Sequence, residues 1–241
     1  YYTVARLDEI KPQDVIKPRK IELKTAKNTV RAWLFMAKSK TAPVLIWLHG
    51  QSDSFSPRWH KYAQYFAHAG VHFVALNFSG SPGSELAHIS RNKLKSQQEL
   101  EIIKLISTLK NQPQIKAQKV FLLGVSAGSE LLERAARRFP NHFDGLIEYS
   151  PAWGKAFSTP IKNLPPLLVF MGKNDSHLNI NRKLHELESQ KRNGNLASYH
   201  LFSNEGHDLR HLNNIEERLK KSVEFIRQIS QGSYGLLNQT E

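Results

Sequence analysis

Short apolar runs alternate with longer amphipathic stretches along most of this chain. Ile21 to Thr25 and Thr29 to Ala37, separated by Ala26-Lys27-Asn28, read as the two strands of an antiparallel hairpin. Val44 to His49, Val71 to Phe78, Lys119 to Gly124, Gly145 to Tyr149, Leu167 to Met171 and Ser198 to Phe202 are short and rich in β-formers, which predicts central strands. Helical periodicity falls between them. It covers Arg58 to Ala69, Leu100 to Lys110, Glu130 to Phe139 and Ile180 to Lys191, and closes with Ile215, Leu219, Val223, Ile226 and Ile229 on one stripe. Strands alternating with helices predict an α/β fold, a three-layer α/β/α sandwich around a mostly parallel sheet.

Length and composition narrow the organisation. The 241 residues, 40% hydrophobic, suit one domain with a single large core, here taken as residues 1–241 with surface tails at 1–17 and 231–241. No apolar run approaches the roughly 18 residues that span a bilayer. The first residue is Tyr1 rather than Met, which implies processing or trimming and leaves cytoplasmic and exported locations both open. Without cysteine, disulfides, thiolate catalysis and cysteine-ligated metals are excluded. A formal charge of +13 raises the question of a nucleic acid or another anionic partner. Its densest clusters, Lys17 to Lys20, Arg91 to Lys95, Arg137-Arg138 and Lys220-Lys221, are scattered and not interleaved with aromatic residues, which favours a solvated basic surface.

The chemistry gathers at Gly124-Val-Ser126-Ala-Gly128, where an apolar run meets an amphipathic one. A serine between a strand and a helix is held in a sharp, exposed turn, and residues two before and two after it must be small where strand and helix meet closely. A glycine-rich turn with a capping serine gives the same five letters, so partners decide. His207, in Asn204-Glu-Gly-His-Asp208, lies between the last strand and the last helix. Asp175 ends Gly172-Lys-Asn-Asp175 after the preceding strand, and His49-Gly50-Gln51 ends the first central strand. A serine nucleophile needs such a base, such an acid and backbone donors for an oxyanion. Glu148 offers a second carboxylate from which the histidine could be oriented. The His207 and His211 pair has the spacing of a helical zinc site but shows no third ligand, so neither metal nor organic cofactor is expected.

With serine, acid and histidine in that order, each at a strand end, the chain resembles the α/β-hydrolase-fold serine hydrolases, compact and lidless like esterases and dienelactone hydrolases. The resemblance covers residues from about 20 to 230. It implies a sheet of eight strands and hydrolysis of an ester, thioester or amide. It implies Ser126 as nucleophile, His207 as base, Asp175 as acid, and the Gln51 and Ala127 backbone N–H groups as oxyanion donors. Two departures stand out: Ser176 to Asn179 lacks the proline common after the acid, and Gly50 to Asp53 lacks a second glycine.

The short interval from Pro151 to Pro166 leaves no room for a bulky lid. Phe55, Trp59, Trp153 and Phe157 are candidate walls for an apolar acyl group. A small-molecule ester is the expected substrate. A peptidase or amidase of the same fold, or a non-catalytic relative binding an anionic partner, are the alternatives.

Overall fold

The computed structural model describes residues 10, 12–25, 28–50, 57–151, 158–209 and 211–233. Its sheet has eight strands, and the chain is described in two compact units, Tyr1–Val120 and Phe121–Glu241.

In the first unit, β1 (Arg19–Lys24) and β2 (Thr29–Phe35) form the expected antiparallel hairpin, with Leu23 opposite Val30. Alternation places Val30, Ala32 and Leu34 on the buried face of β2. β2 runs antiparallel to β4 (His72–Asn77), which is parallel to β3 (Val44–Leu48), giving the order β1-β2-β4-β3. Every residue of β3 and β4 is buried, as expected of strands covered on both faces. α1 (Pro57–His68) anchors the N-terminal segment, because the Gln64 amide bonds both the N–H and the C=O of Ile16 at 2.8 and 2.7 Å.

α2 (Lys95–Lys110) starts a turn earlier than its apolar stripe implies. The reason is chemical. Its first buried face is polar: Gln98 donates to the Ser79 carbonyl at 2.7 Å, and Glu101 accepts from the Ser79 N–H at 2.9 Å and from its hydroxyl. Gln97 and Asn28 close the network around that hydroxyl. Burial holds the Glu101 carboxyl above its ordinary pKa, although these hydrogen bonds pull it down.

In the second unit β5 (Val120–Val125), β6 (Gly145–Tyr149), β7 (Leu167–Gly172) and β8 (Ala197–Phe202) are successively parallel, in the order β5-β6-β7-β8. α3 (Ala127–Arg138), α4 (Ile180–Arg192) and α5 (Leu212–Ser230) supply the covering layers. Two consecutive residues of β6 reveal the layering, since neighbours on a strand point to opposite faces. The Glu148 carboxylate meets Lys183 of α4, whereas the Tyr149 hydroxyl meets Ser222 of α5 at 2.8 Å.

Candidate active site

β5 delivers Ser126 to the first residue before α3, with φ 52° and ψ −119°. A side chain at positive φ is sterically costly, and this one is held by its surroundings. The Ser126 N–H donates to the Tyr149 carbonyl at 3.0 Å, tying the turn to the end of β6. The flanking glycine has the anticipated reason to be there. A Cβ on Gly124 would lie 2.6 Å from the Ser129 Cα and 2.8 Å from the Gly128 carbonyl carbon, so any larger residue drives α3 off the strand. The Ser129 hydroxyl also caps the Gly124 carbonyl at 2.9 Å, fixing the first turn of α3 from inside.

The structure brings Ser126, His207 and Asp175 together. His207 Nε2 lies 2.8 Å from Ser126 Oγ, and its Nδ1 lies 2.8 Å from Asp175 Oδ2. A carboxylate oxygen accepts, so this contact favours the tautomer with Nδ1–H toward Asp175 and the Nε2 lone pair toward the Ser126 hydroxyl. The Asp175 side chain is fully buried while that of His207 is 21% exposed, so the carboxylate is shielded and part of the imidazole is reachable from solvent.

The departure in the acid loop acquires an explanation. Asp175 Oδ1 accepts the His177 N–H at 2.8 Å, so the main chain two residues on fixes the second carboxylate oxygen. Asn179 caps α4 by accepting the Arg182 N–H at 3.0 Å, stopping the loop where a proline is otherwise common. The His177 ring stands 4.8 Å from that of His207, a neighbour that sequence spacing did not single out.

The histidine loop is held at Gly172, the last residue of β7. A Cβ there would sit 2.5 Å from the carbonyl oxygens of both Glu205 and Gly206. The Asn174 N–H donates to the same Glu205 carbonyl at 2.8 Å, while Glu205 Oε1 accepts from the His211 N–H and the Asn214 amide, each at 2.9 Å. Arg218 of α5 lies 4.4 Å over the Tyr149 ring and donates to the Leu209 carbonyl at 3.4 Å. Gly172→Ala is therefore expected to displace His207 and to lower kcat/KM by on the order of 10², the scale of a misplacement of about 1 Å. Steady-state kinetics beside a thermal melt checks this, the variant remaining folded.

Other candidate residues fall elsewhere. Glu148 does not face His207: it is paired with Lys183 at 2.7 Å on the far side of β6 from Tyr149. His49 stacks on Phe78 at 4.4 Å with its Nδ1 2.7 Å from the Gly50 carbonyl, a structural position. Trp59 is a core side chain, 5% exposed and 4.5 Å from the Trp47 ring. Gln51, Phe55, Trp153 and Phe157 lie outside the described residues. Ala127 is the first residue of α3, where a helix N–H has no intrahelical acceptor and the helix dipole favours negative charge. His207 and His211 both precede α5, so the helical spacing of a zinc pair is not realised, and no group of three metal-ligating side chains occurs among the described residues. Arg137 is bonded to Thr159 and Arg138 lies over the Phe139 ring. Among the described residues no helix is long and apolar enough to cross a membrane.

Residues 39–214 match the family model of the serine aminopeptidases S33. The chain belongs to that family. No curated protein sequence matches it. Solved structures agree on the α/β-hydrolase fold. The Pyrococcus horikoshii acylaminoacyl peptidase is 17% identical with a TM-score of 0.74, and the match covers 91% of this chain but 42% of the peptidase. The chain thus spans less than half of that relative. An esterase of Pyrococcus furiosus is 16% identical with a TM-score of 0.73 over 90% of this chain and 95% of the esterase. A predicted hydrolase of Thermoplasma acidophilum is 16% identical with a TM-score of 0.69, covering 88% and 99%. The family match and the structural neighbours agree in giving the chain the α/β-hydrolase fold.

Proposed function

We propose that the protein cleaves carboxylic esters through an acyl-enzyme on Ser126. The observation that carries this reading is the unbroken chain from Asp175 Oδ2 through His207 to Ser126 Oγ, two contacts of 2.8 Å each. Asp175 holds the Nδ1–H tautomer. His207 Nε2 takes the hydroxyl proton as Ser126 Oγ attacks the carbonyl carbon, and the oxyanion that forms is met by the Ala127 N–H at the start of α3. Gln51 is the second donor by sequence. Collapse of the intermediate returns the proton to the leaving alkoxide, and water then releases the acid by the same route. Apart from that water, these steps draw on groups of the chain itself.

An aminopeptidase reading is favoured by the family to which the chain belongs and by the peptidase neighbour. The esterase reading is supported by the similarity to the Pyrococcus furiosus esterase and by the interval 151–166, too short in sequence to hold a bulky lid at that point of the chain. A panel of p-nitrophenyl esters of graded acyl length beside aminoacyl p-nitroanilides separates the two. The expected result is kcat/KM at least about 10²-fold higher for a short ester than for any anilide, a margin of roughly 2.7 kcal/mol. The reverse order would make the enzyme a peptidase.

A further inference from the structure

Behind the Ser126 turn lies an ion cluster that the mechanism above does not use. Lys183, 3% exposed on the first turn of α4, places its ammonium 2.8 Å from Glu133 of α3 and 2.7 Å from Glu148 of β6. Each of the three belongs to an element that sets the geometry of the site. α3 begins at the residue after Ser126, with Glu133 about two turns along it. Glu148 precedes Tyr149, whose carbonyl holds the Ser126 N–H. α4 continues directly from the loop that carries Asp175, through the Asn179 cap. One ammonium therefore joins the nucleophile helix, the strand that braces the nucleophile turn and the helix that ends the acid loop.

Resting on the serine-hydrolase reading, we propose that Lys183, Glu133 and Glu148 are positioning residues that hold Ser126 in register with Asp175 and His207 only while the cluster retains one proton on its carboxyl pair. The reason is charge balance. Two carboxylates and one ammonium in a dry site leave a net negative charge, and an uncompensated buried charge is strongly unfavourable. Burial, opposed by the Lys183 ammonium and reinforced by the Glu133 carboxylate, pushes the Glu148 carboxyl up to about 8. Glu186 of α4 adds a further carboxylate whose own pKa is raised by burial, with Arg182 and His185 beside it as the nearby bases. The sheet neighbours of Glu148, Gly124 and Val169, carry no charge, and Arg218 of α5 lies over Tyr149 on the other face. When the proton leaves, Glu133 and Glu148 repel across Lys183, and α3 is pushed from β6 at the level of the turn.

The sign of the stability effect follows. Glu148 has a folded pKa above its ordinary value of 4.5, so its contribution is complete below about 4.5, declines as pH rises and is lost above about 8. Turnover depends on the folded state alone and falls only near the upper value.

The test compares the wild type with Glu148→Gln, in which an amide of the same shape replaces the protonated carboxyl. Both are first treated with a fluorophosphonate at neutral pH; an adduct on Ser126 in each establishes the underlying reading, and its absence in both would reject that reading alone. kcat and KM for a short ester are then followed from about pH 6 to 10. The expected wild-type result is a fall in kcat of about tenfold or more above pH 8 at constant KM, while Glu148→Gln holds its plateau. Thermal melts over the same range give a readout independent of activity: the variant gains on the wild type between about pH 5 and 8, then runs parallel to it. A second variant, Lys183→Arg, keeps the cation and is expected to keep the wild-type alkaline fall. A flat wild-type profile, an alkaline fall that survives in Glu148→Gln, or melting curves that never diverge would overturn the proposal.

Discussion

Ser126→Ala is expected to lower kcat for an activated ester by on the order of 10⁶, the loss seen when the serine of a comparable triad is removed. The magnitude follows from what is left. The oxyanion donors and the binding surface remain, and they sustain on the order of 10³ to 10⁴ over the uncatalysed rate, but no atom of the site can form the acyl bond. The fold is expected to survive. The Ser126 N–H bond to Tyr149 is a main-chain contact that alanine retains, and the positive φ of 52° is no more costly for alanine than for serine. A circular dichroism melt close to that of the wild type, together with a residual kcat on the order of 10⁶ below it, is the expected pair of results.

Asp175→Asn is expected to cost on the order of 10⁴ in kcat, the precedent for the same substitution in a serine protease. The asparagine presents an oxygen or an amide nitrogen to His207. Facing the nitrogen, the imidazole is held with its proton on Nε2, where it can no longer accept from Ser126. Asp175 Oδ1 also receives the His177 N–H at 2.8 Å, so an asparagine that keeps its oxygen on that main-chain donor turns its amide toward His207 and enforces the wrong tautomer. KM should change little, because the carboxylate touches the histidine and not the substrate. Glu148→Gln is the matched control. At neutral pH it replaces a carboxyl that already carries a proton and is expected to stay within a few-fold of the wild type.

Local signals carry most of what a reader can recover from this sequence alone. Strands such as β3 and β6 announce themselves as short apolar runs because both of their faces are covered, and Gly124 announces the elbow because strand and helix meet there within 2.6 Å of where a Cβ would lie. The order of Ser126, Asp175 and His207 at three strand ends suffices to nominate them. What was hidden is hidden for physical reasons. The first two turns of α2 bury Gln98 and Glu101 instead of leucines, so hydrophobic periodicity passes over them. The choice between Asp175 and Glu148 depends on which face of its strand each occupies, a property of register and packing rather than of spacing. The same holds for Lys183, which reads as a surface lysine in an amphipathic helix and is 3% exposed only because two carboxylates from separate elements converge on it.

The acyl-enzyme itself is the most direct measurement. The protein is mixed with excess p-nitrophenyl acetate, quenched in acid within the first turnovers and digested, and the peptides are read by mass spectrometry. One acetylated peptide is expected, spanning the Gly124 to Gly128 elbow with the acetyl group on Ser126, and it disappears as the ester is exhausted. An enzyme that turns over the ester while Ser126 stays unmodified throughout, or that carries the acetyl group on another residue which clears at the rate of turnover, would contradict it.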